Sequence, residues 1–236
     1  MLLPMNILGI ETATESLSTA LITAGIVHER NRDSRSSHCE LLTGFINDLV
    51  EEAGITVKDI EGIAVSLGPG SFTGLRIGIS TAMGLAYGLG IKTAGVNTLM
   101  GLAWNVAPPG TLVCPLIDAK RSEVYTAIYR MGKDIPDVIM KPAAVPVSKL
   151  ADIIKLQDEP LTVTGPAAVQ FREILEESAG DLLTFVEPAM ALPSAVSIAQ
   201  AGLVIFSRDG GVTPSAIEPV YLRRSDAEIA RNNSCK

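Results

Sequence analysis

IAVSLGPGSFTGLRIGISTAMGLAYGL, residues 63–89, is the stretch whose reading decides the fold. Ile63 to Leu67 is a short run of apolar or small residues and predicts a buried strand. Gly68-Pro69-Gly70-Ser71-Phe72-Thr73-Gly74 reads as a turn, and a run with helical spacing continues until Gly90. Strand, glycine-rich turn and helix together present backbone N–H groups at a helix start, where a ligand or a neighbouring chain can meet them. Spacing excludes the standard ligand loops. A phosphate loop GxxxxGK[ST] would find Thr73 five residues after Gly68 and Leu75 five after Gly70, with no lysine. A dinucleotide loop GxGxxG needs glycine where Thr73 stands. A hydrolase elbow GxSxG around Ser71 needs glycine where Pro69 and Thr73 stand.

Outward from this stretch, the 236 residues are 47% hydrophobic and 19% charged, a globular balance that excludes a disordered tail protein. The net charge of −7 leaves no global basic field to hold a nucleic-acid backbone. Cys39, Cys114 and Cys235 show no CxxC spacing, which suits a reducing compartment without structural disulfides or zinc. No basic region followed by an apolar stretch opens the chain, so no signal peptide is expected. Thr93 to Ile117 is uncharged, but Asn97 and Pro108-Pro109-Gly110 interrupt it, so no membrane span is expected. These features predict a cytoplasmic protein.

Strands are predicted at 6–10, 17–22 and 26–30. A helix follows from a capping-box spacing, Ser37 with Glu40, to the stop at Gly54. A strand at 92–96 and a helix from Thr98 to about Asn105 come next. Pro108-Pro109-Gly110 marks the boundary between a lobe at 1–106 and a lobe at 107–236. The second lobe reads as strands at 111–117, 123–130, near Val138, 161–164 and 183–186. Its helices fall at 148–155, 167–178 and 194–207, and the last can pack back on the first lobe. Residues 10–22 lie on residues 117–129 without a gap: Ile10 on Ile117, Glu11 on Asp118, Leu17 on Val124, and Thr19-Ala20 on Thr126-Ala127.

This repeat predicts an α/β protein of two similar lobes, each a mixed sheet flanked by helices. A duplicated lobe whose first strand ends in a carboxylate and returns as a hairpin resembles the actin/hexokinase-like (ASKHA) superfamily. There the hairpin turns carry Asp-x-Gly so that nucleotide phosphates can approach. Here the turns are Glu11-Thr12-Ala13 and Asp118-Ala119-Lys120, and Val163-Thr164-Gly165-Pro166 holds one glycine where a pair is expected. The plan of a nucleotide-binding protein is present without its usual nucleotide contacts.

Ser66 to Gly78 closely resembles the signature of the bacterial tRNA threonylcarbamoyladenosine biosynthesis protein TsaB (YeaZ) family. The resemblance extends to Ile10-Glu11-Thr12-Ala13-Thr14, to His38 with Glu40-Leu41-Leu42, to Asp118 through Tyr125, and to Pro219-Val220-Tyr221-Leu222-Arg223. It implies a non-catalytic scaffold that pairs with the catalytic subunit TsaD and the ATPase TsaE in modifying the adenosine next to the tRNA anticodon. It also implies ATP and a metal on the partner subunits and none on this chain alone, tRNA contact only within the complex, and a homodimer when alone. TsaD carries His-x-x-x-His after Val-Asn. Here Val96-Asn97 precedes Thr98 and Leu102, and the only histidines are His28 and His38. No metal site and no catalytic residue are expected. The alternative, a stand-alone peptidase or ATPase of the superfamily, lacks the His pair and the phosphate glycines.

Gly74, Gly78, Ala82 and Ala86 lie four apart, and Leu75, Ile79 and Met83 run beside them. Small residues let another helix approach closely; the same face could instead pack within its own lobe. The resemblance places a partner interface on the first-lobe helices, which adds His38, Leu41, Leu42 and Phe45. A leucine at Gly78 is then expected to weaken partner binding more than it unfolds the chain. Expected turn or ligand contacts are Glu11, Gly68, Gly70, Ser71, Thr73, Arg76 and Asp118. Glu11 and Asp118 are expected to accept from nearby turn amides. Arg76, a cation in the first turn of a helix, suits an anionic neighbour. Lys120, Arg121, Arg223 and Arg224 are the densest basic positions that tRNA could graze.

Overall fold

The computed structural model describes residues 5–33, 38–104 and 106–223. Its first sheet comprises β1 (Ile7–Glu11), β2 (Ser16–Thr23), β3 (Ile26–Asp33), β4 (Gly62–Gly68) and β5 (Lys92–Asn97), in the order β3-β2-β1-β4-β5. The second comprises β6 (Leu112–Lys120), β7 (Glu123–Arg130), β8 (Asp137–Pro146), β9 (Leu161–Thr164) and β10 (Leu183–Phe185), in the order β10-β9-β6-β7-β8. Read from the other edge, the second order is the first again. β1 lies antiparallel to β2 and parallel to β4; β6 lies antiparallel to β7 and parallel to β9. This is the two-lobed ASKHA arrangement with mixed sheets. The near-continuous apolar runs of β1, β4 and β6 follow from a sheet covered on both faces.

The helices are α1 (His38–Glu52), α2 (Phe72–Leu89), α3 (Thr98–Ala103), α4 (Val147–Lys155), α5 (Pro166–Gln170), α6 (Arg172–Ala179) and α7 (Ala195–Asp209). α1 and α2 close one face of the first sheet over Leu8, Ile10, Leu42, Leu49, Leu75 and Ile79. α4, α5 and α6 close one face of the second over Leu116, Ile128, Leu150, Ile154 and Leu175. The remaining helix of each repeat crosses over. α7, from the second repeat, lies on the first sheet, where Ile198, Ala199 and Phe206 bury Ile7, Ala64 and Val96. α3, from the first repeat, touches both sheets and buries Leu99, Leu102 and Ala103 against Val113, Ile117, Ala127 and Tyr129. Each repeat therefore supplies part of the other's core.

Three local readings change. Asn97, not Thr98, caps α3: its Oδ1 accepts from the Leu99 N–H at 3.0 Å and the Met100 N–H at 3.3 Å. Thr98 is buried and its Oγ1 accepts from the Gly68 N–H at 3.1 Å. The helix predicted at 167–178 breaks at Phe171, where φ −106 and ψ 14 end α5. The repeat slips by one residue at the hairpins, because Ile10 pairs with Thr19 but Ile117 with Tyr125. The β6–β7 connection is the tight one: Arg121 and Ser122 have φ of 55 and 59, as a two-residue hairpin turn requires. The Ser37–Glu40 capping box, the side chain of His38, the end of the predicted helix at Asn105, and Arg224 lie outside the described residues.

Candidate functional site

The Gly68–Gly74 turn sits where β4 leaves the first sheet and α2 begins. Gly68 has φ of 110, a backbone region that favours glycine. Ser71 caps α2, its Oγ accepting from the Gly74 N–H at 3.2 Å. The Ser71 N–H donates to the Ala13 carbonyl at 2.6 Å, and Thr12 Oγ1 donates to the Gly74 carbonyl at 2.8 Å. A Cβ on Gly70 would collide with the Ala13 carbonyl, and one on Gly74 with the Thr12 carbonyl. A Cβ on Gly68 would stand 2.6 Å from the Val220 carbonyl oxygen. The space left by these glycines is filled by the chain's own backbone. They let the β1–β2 turn and the chain's last described segment cross the start of α2.

The same geometry corrects the expected partner face. Gly74, Leu75, Gly78, Ile79, Ala82 and Ala86 are all buried within their own lobe. A Cβ on Gly78 would meet Thr12 Oγ1, so the small residues bring α2 close to β1 and not to a second protein. Leu42 is likewise spent in that core at 1% exposure, while Met83, Leu41 and Phe45 are half-buried at its margin. The outward face of α2 carries Thr73, Arg76, Ser80, Gly84, Tyr87 and Gly88, with Tyr87 82% exposed. Ser80, Gly84 and Gly88 form a second row of small residues, and a Cβ on Gly84 or Gly88 would meet open space. This outer row was not singled out from the sequence. Its signal is the polar pair Thr73 and Arg76 on the same face, where the inner row has Leu75 and Ile79.

The two repeated acids make the same bond and differ in burial. Glu11 Oε1 accepts from the Ala13 N–H at 2.6 Å, and Asp118 Oδ1 accepts from the Lys120 N–H at 2.7 Å. Burial pushes the Glu11 carboxyl up to about 7, while the Ala13 amide and the Ser66 hydroxyl pull it down by less. Its second oxygen and the Ser66 Oγ have no partner at hydrogen-bond geometry. Asp118, nearer the surface, also pairs with Lys120 Nζ at 2.7 Å.

Within its own chain, Arg76 packs on aromatic side chains. Its guanidinium lies over the Phe72 ring at 3.9 Å, and its Nε donates to the Tyr221 hydroxyl at 3.3 Å. Thr73 is exposed beside it.

Burial pushes the Cys114 thiol up to about 11, which keeps it a thiol bonded to Thr126 and a poor nucleophile. Among the described residues, no group of three His, Cys, Asp or Glu could hold a metal ion. Leu102, at the second histidine position of the resembling enzyme, is buried in the core between the sheets. Among the described residues no helix is long and apolar enough to cross a membrane.

The profile of the family described as "TsaD: tRNA N6-adenosine threonylcarbamoyltransferase" matches residues 19–231. The chain is 32% identical to the Escherichia coli protein named "tRNA threonylcarbamoyladenosine biosynthesis protein TsaB", over 94% of this chain and 96% of that one. The Bacillus subtilis protein of the same name is 27% identical over 95% of this chain and 96% of its own length. The solved structure of YeaZ from Pseudomonas aeruginosa superposes with a TM-score of 0.77 at 24% identity, covering 92% of this chain and all of that one, a likeness of fold.

Proposed function

The chain belongs to the TsaB/YeaZ family, and from that premise we infer that it serves tRNA threonylcarbamoyladenosine biosynthesis as a non-catalytic scaffold. Involvement in the pathway comes with the family. In this reading the chain pairs with a TsaD-type catalytic subunit and a TsaE-type ATPase in the cytoplasm. ATP and a metal reside on those partners, and tRNA is met only in the complex. The observation that carries it is the filled turn. The glycines that would let a ligand approach are occupied by the backbone of Thr12, Ala13 and Val220.

The partner face, in this reading, is the outer side of α2. Ser80, Gly84 and Gly88 leave room for a helix to approach, and the exposed Tyr87 supplies apolar area and a hydroxyl. The same face would join two copies when the chain is alone. Gly84→Arg combined with Tyr87→Glu is expected to lower affinity for a TsaD-type partner at least tenfold in a titration, with the unfolding midpoint not lowered. Full affinity in the double variant would remove α2 from the interface. ATP turnover or metal-dependent hydrolysis by the purified chain alone would overturn the non-catalytic reading.

A further inference from the structure

The segment after α7 is fastened to both lobes. Ile217 is buried in the core beneath α1 and α2 at 4% exposure. The Val220 N–H donates to the Leu67 carbonyl at 2.7 Å, on the end of β4. Tyr221 sets its ring 5.0 Å from Phe72, at the start of α2, and accepts from Arg76 Nε. Arg223 then reaches the other lobe. Its Nη1 donates to the Ala119 carbonyl of β6 at 2.6 Å and stands 3.8 Å from Glu123 Oε2, with the side chain 15% exposed. Two residues separate Val220 from Arg223, and the three steps between them span at most about 11 Å of chain. The end of β4 and the β6–β7 hairpin are thus tied at short range.

We propose that residues 217–223 are a latch that holds the two lobes closed where the ends of β4 and β6 face each other. Two-lobed proteins that exchange a ligand do so by hinging about the connection between lobes. Here, hinging at this mouth must break a charge-assisted bond shielded from water, which is stronger than an exposed pair. It must also lift Val220 off Gly68. Together with the core that α3 and α7 share between the repeats, the latch holds the two lobes as one body instead of a clamshell.

Hydrogen exchange on the full chain tests this. In Arg223→Ala, the Val220 amide and the backbone amides of residues 119–123 are expected to exchange at least tenfold faster. Amides of β1 and α1 should keep their protection. Arg223→Lys, which retains a donor, is expected to leave Val220 within threefold of the unsubstituted chain. An unchanged Val220 amide in Arg223→Ala would overturn the latch, because the segment would then hold without its bolt. Faster exchange spread evenly through β1 and α1 would overturn it too, by making Arg223 a support of the whole fold.

Discussion

Glu11 places an ionisable group where ionisation is costly. Its carboxyl titrates near 7 in the folded chain against 4.5 as the ordinary value, because burial outweighs the Ala13 amide. Raised in the folded state, it favours folding most below pH 4.5, and that advantage is lost as pH rises through 7. The difference amounts to about 3 kcal/mol. Glu11→Gln is therefore expected to gain stability on the unsubstituted chain between pH 5 and pH 8. Urea unfolding at the two pH values measures it, and an equal difference at both would show that Glu11 does not titrate in this range. The acid's place at a strand end was legible, since the repeat put Glu11 on Asp118. Its burial was not. The same offset gives one buried carboxylate beside the Ala13 amide and the Ser66 hydroxyl and another paired with Lys120 near the surface.

The helix α2 shows what a period of four can and cannot decide. It carries two rows of small residues on different faces, and spacing alone does not say which row meets the sheet. The neighbours do: Leu75 and Ile79 flank the inner row and join the core. A row that must face water before a partner arrives keeps polar companions, as the outer one does. Gly78→Ala is expected to cost about 1–3 kcal/mol, because its methyl has to displace Thr12. Gly84→Ala, in open space, should gain about 0.5–1 kcal/mol from helix propensity. Thermal unfolding of the pair checks both, and equal shifts would mean that the two faces are wrongly distinguished. A leucine at Gly78, expected from the sequence to act on partner binding, should instead prevent folding.

For the whole molecule, the two-lobed plan with its mixed sheets follows from alternation and from the repeat, while the order of strands within each sheet does not. Nor does the crossing of α3, because a repeat says which elements correspond and not which sheet each covers; for α7 the sequence already allowed the last helix to pack back on the first lobe. A cut at 106/107 divides the repeat in sequence while leaving each sheet without one of its helices. Fragment 1–106 would lack α7 over Ile7, Ala64 and Val96, and fragment 107–236 would lack α3 over Val113 and Ile117. Neither is expected to be a folded monomer by sizing and circular dichroism, and co-expression should restore a single compact species. A folded, monomeric 1–106 would contradict this.

The crossing also sets an order of events during synthesis. The strands of the first sheet are complete at Asn97, yet the helix that covers their second face ends at Asp209. At roughly 5–20 residues per second, a ribosome needs on the order of 5–20 seconds to supply it. Throughout that interval the growing chain carries a bare apolar sheet face. Trigger-type chaperones and slow codons between the two points should therefore matter more to the yield of this protein than to one whose lobes close in turn, and ribosome-bound chains stopped before Ala195 should be protease-sensitive across β1 and β4.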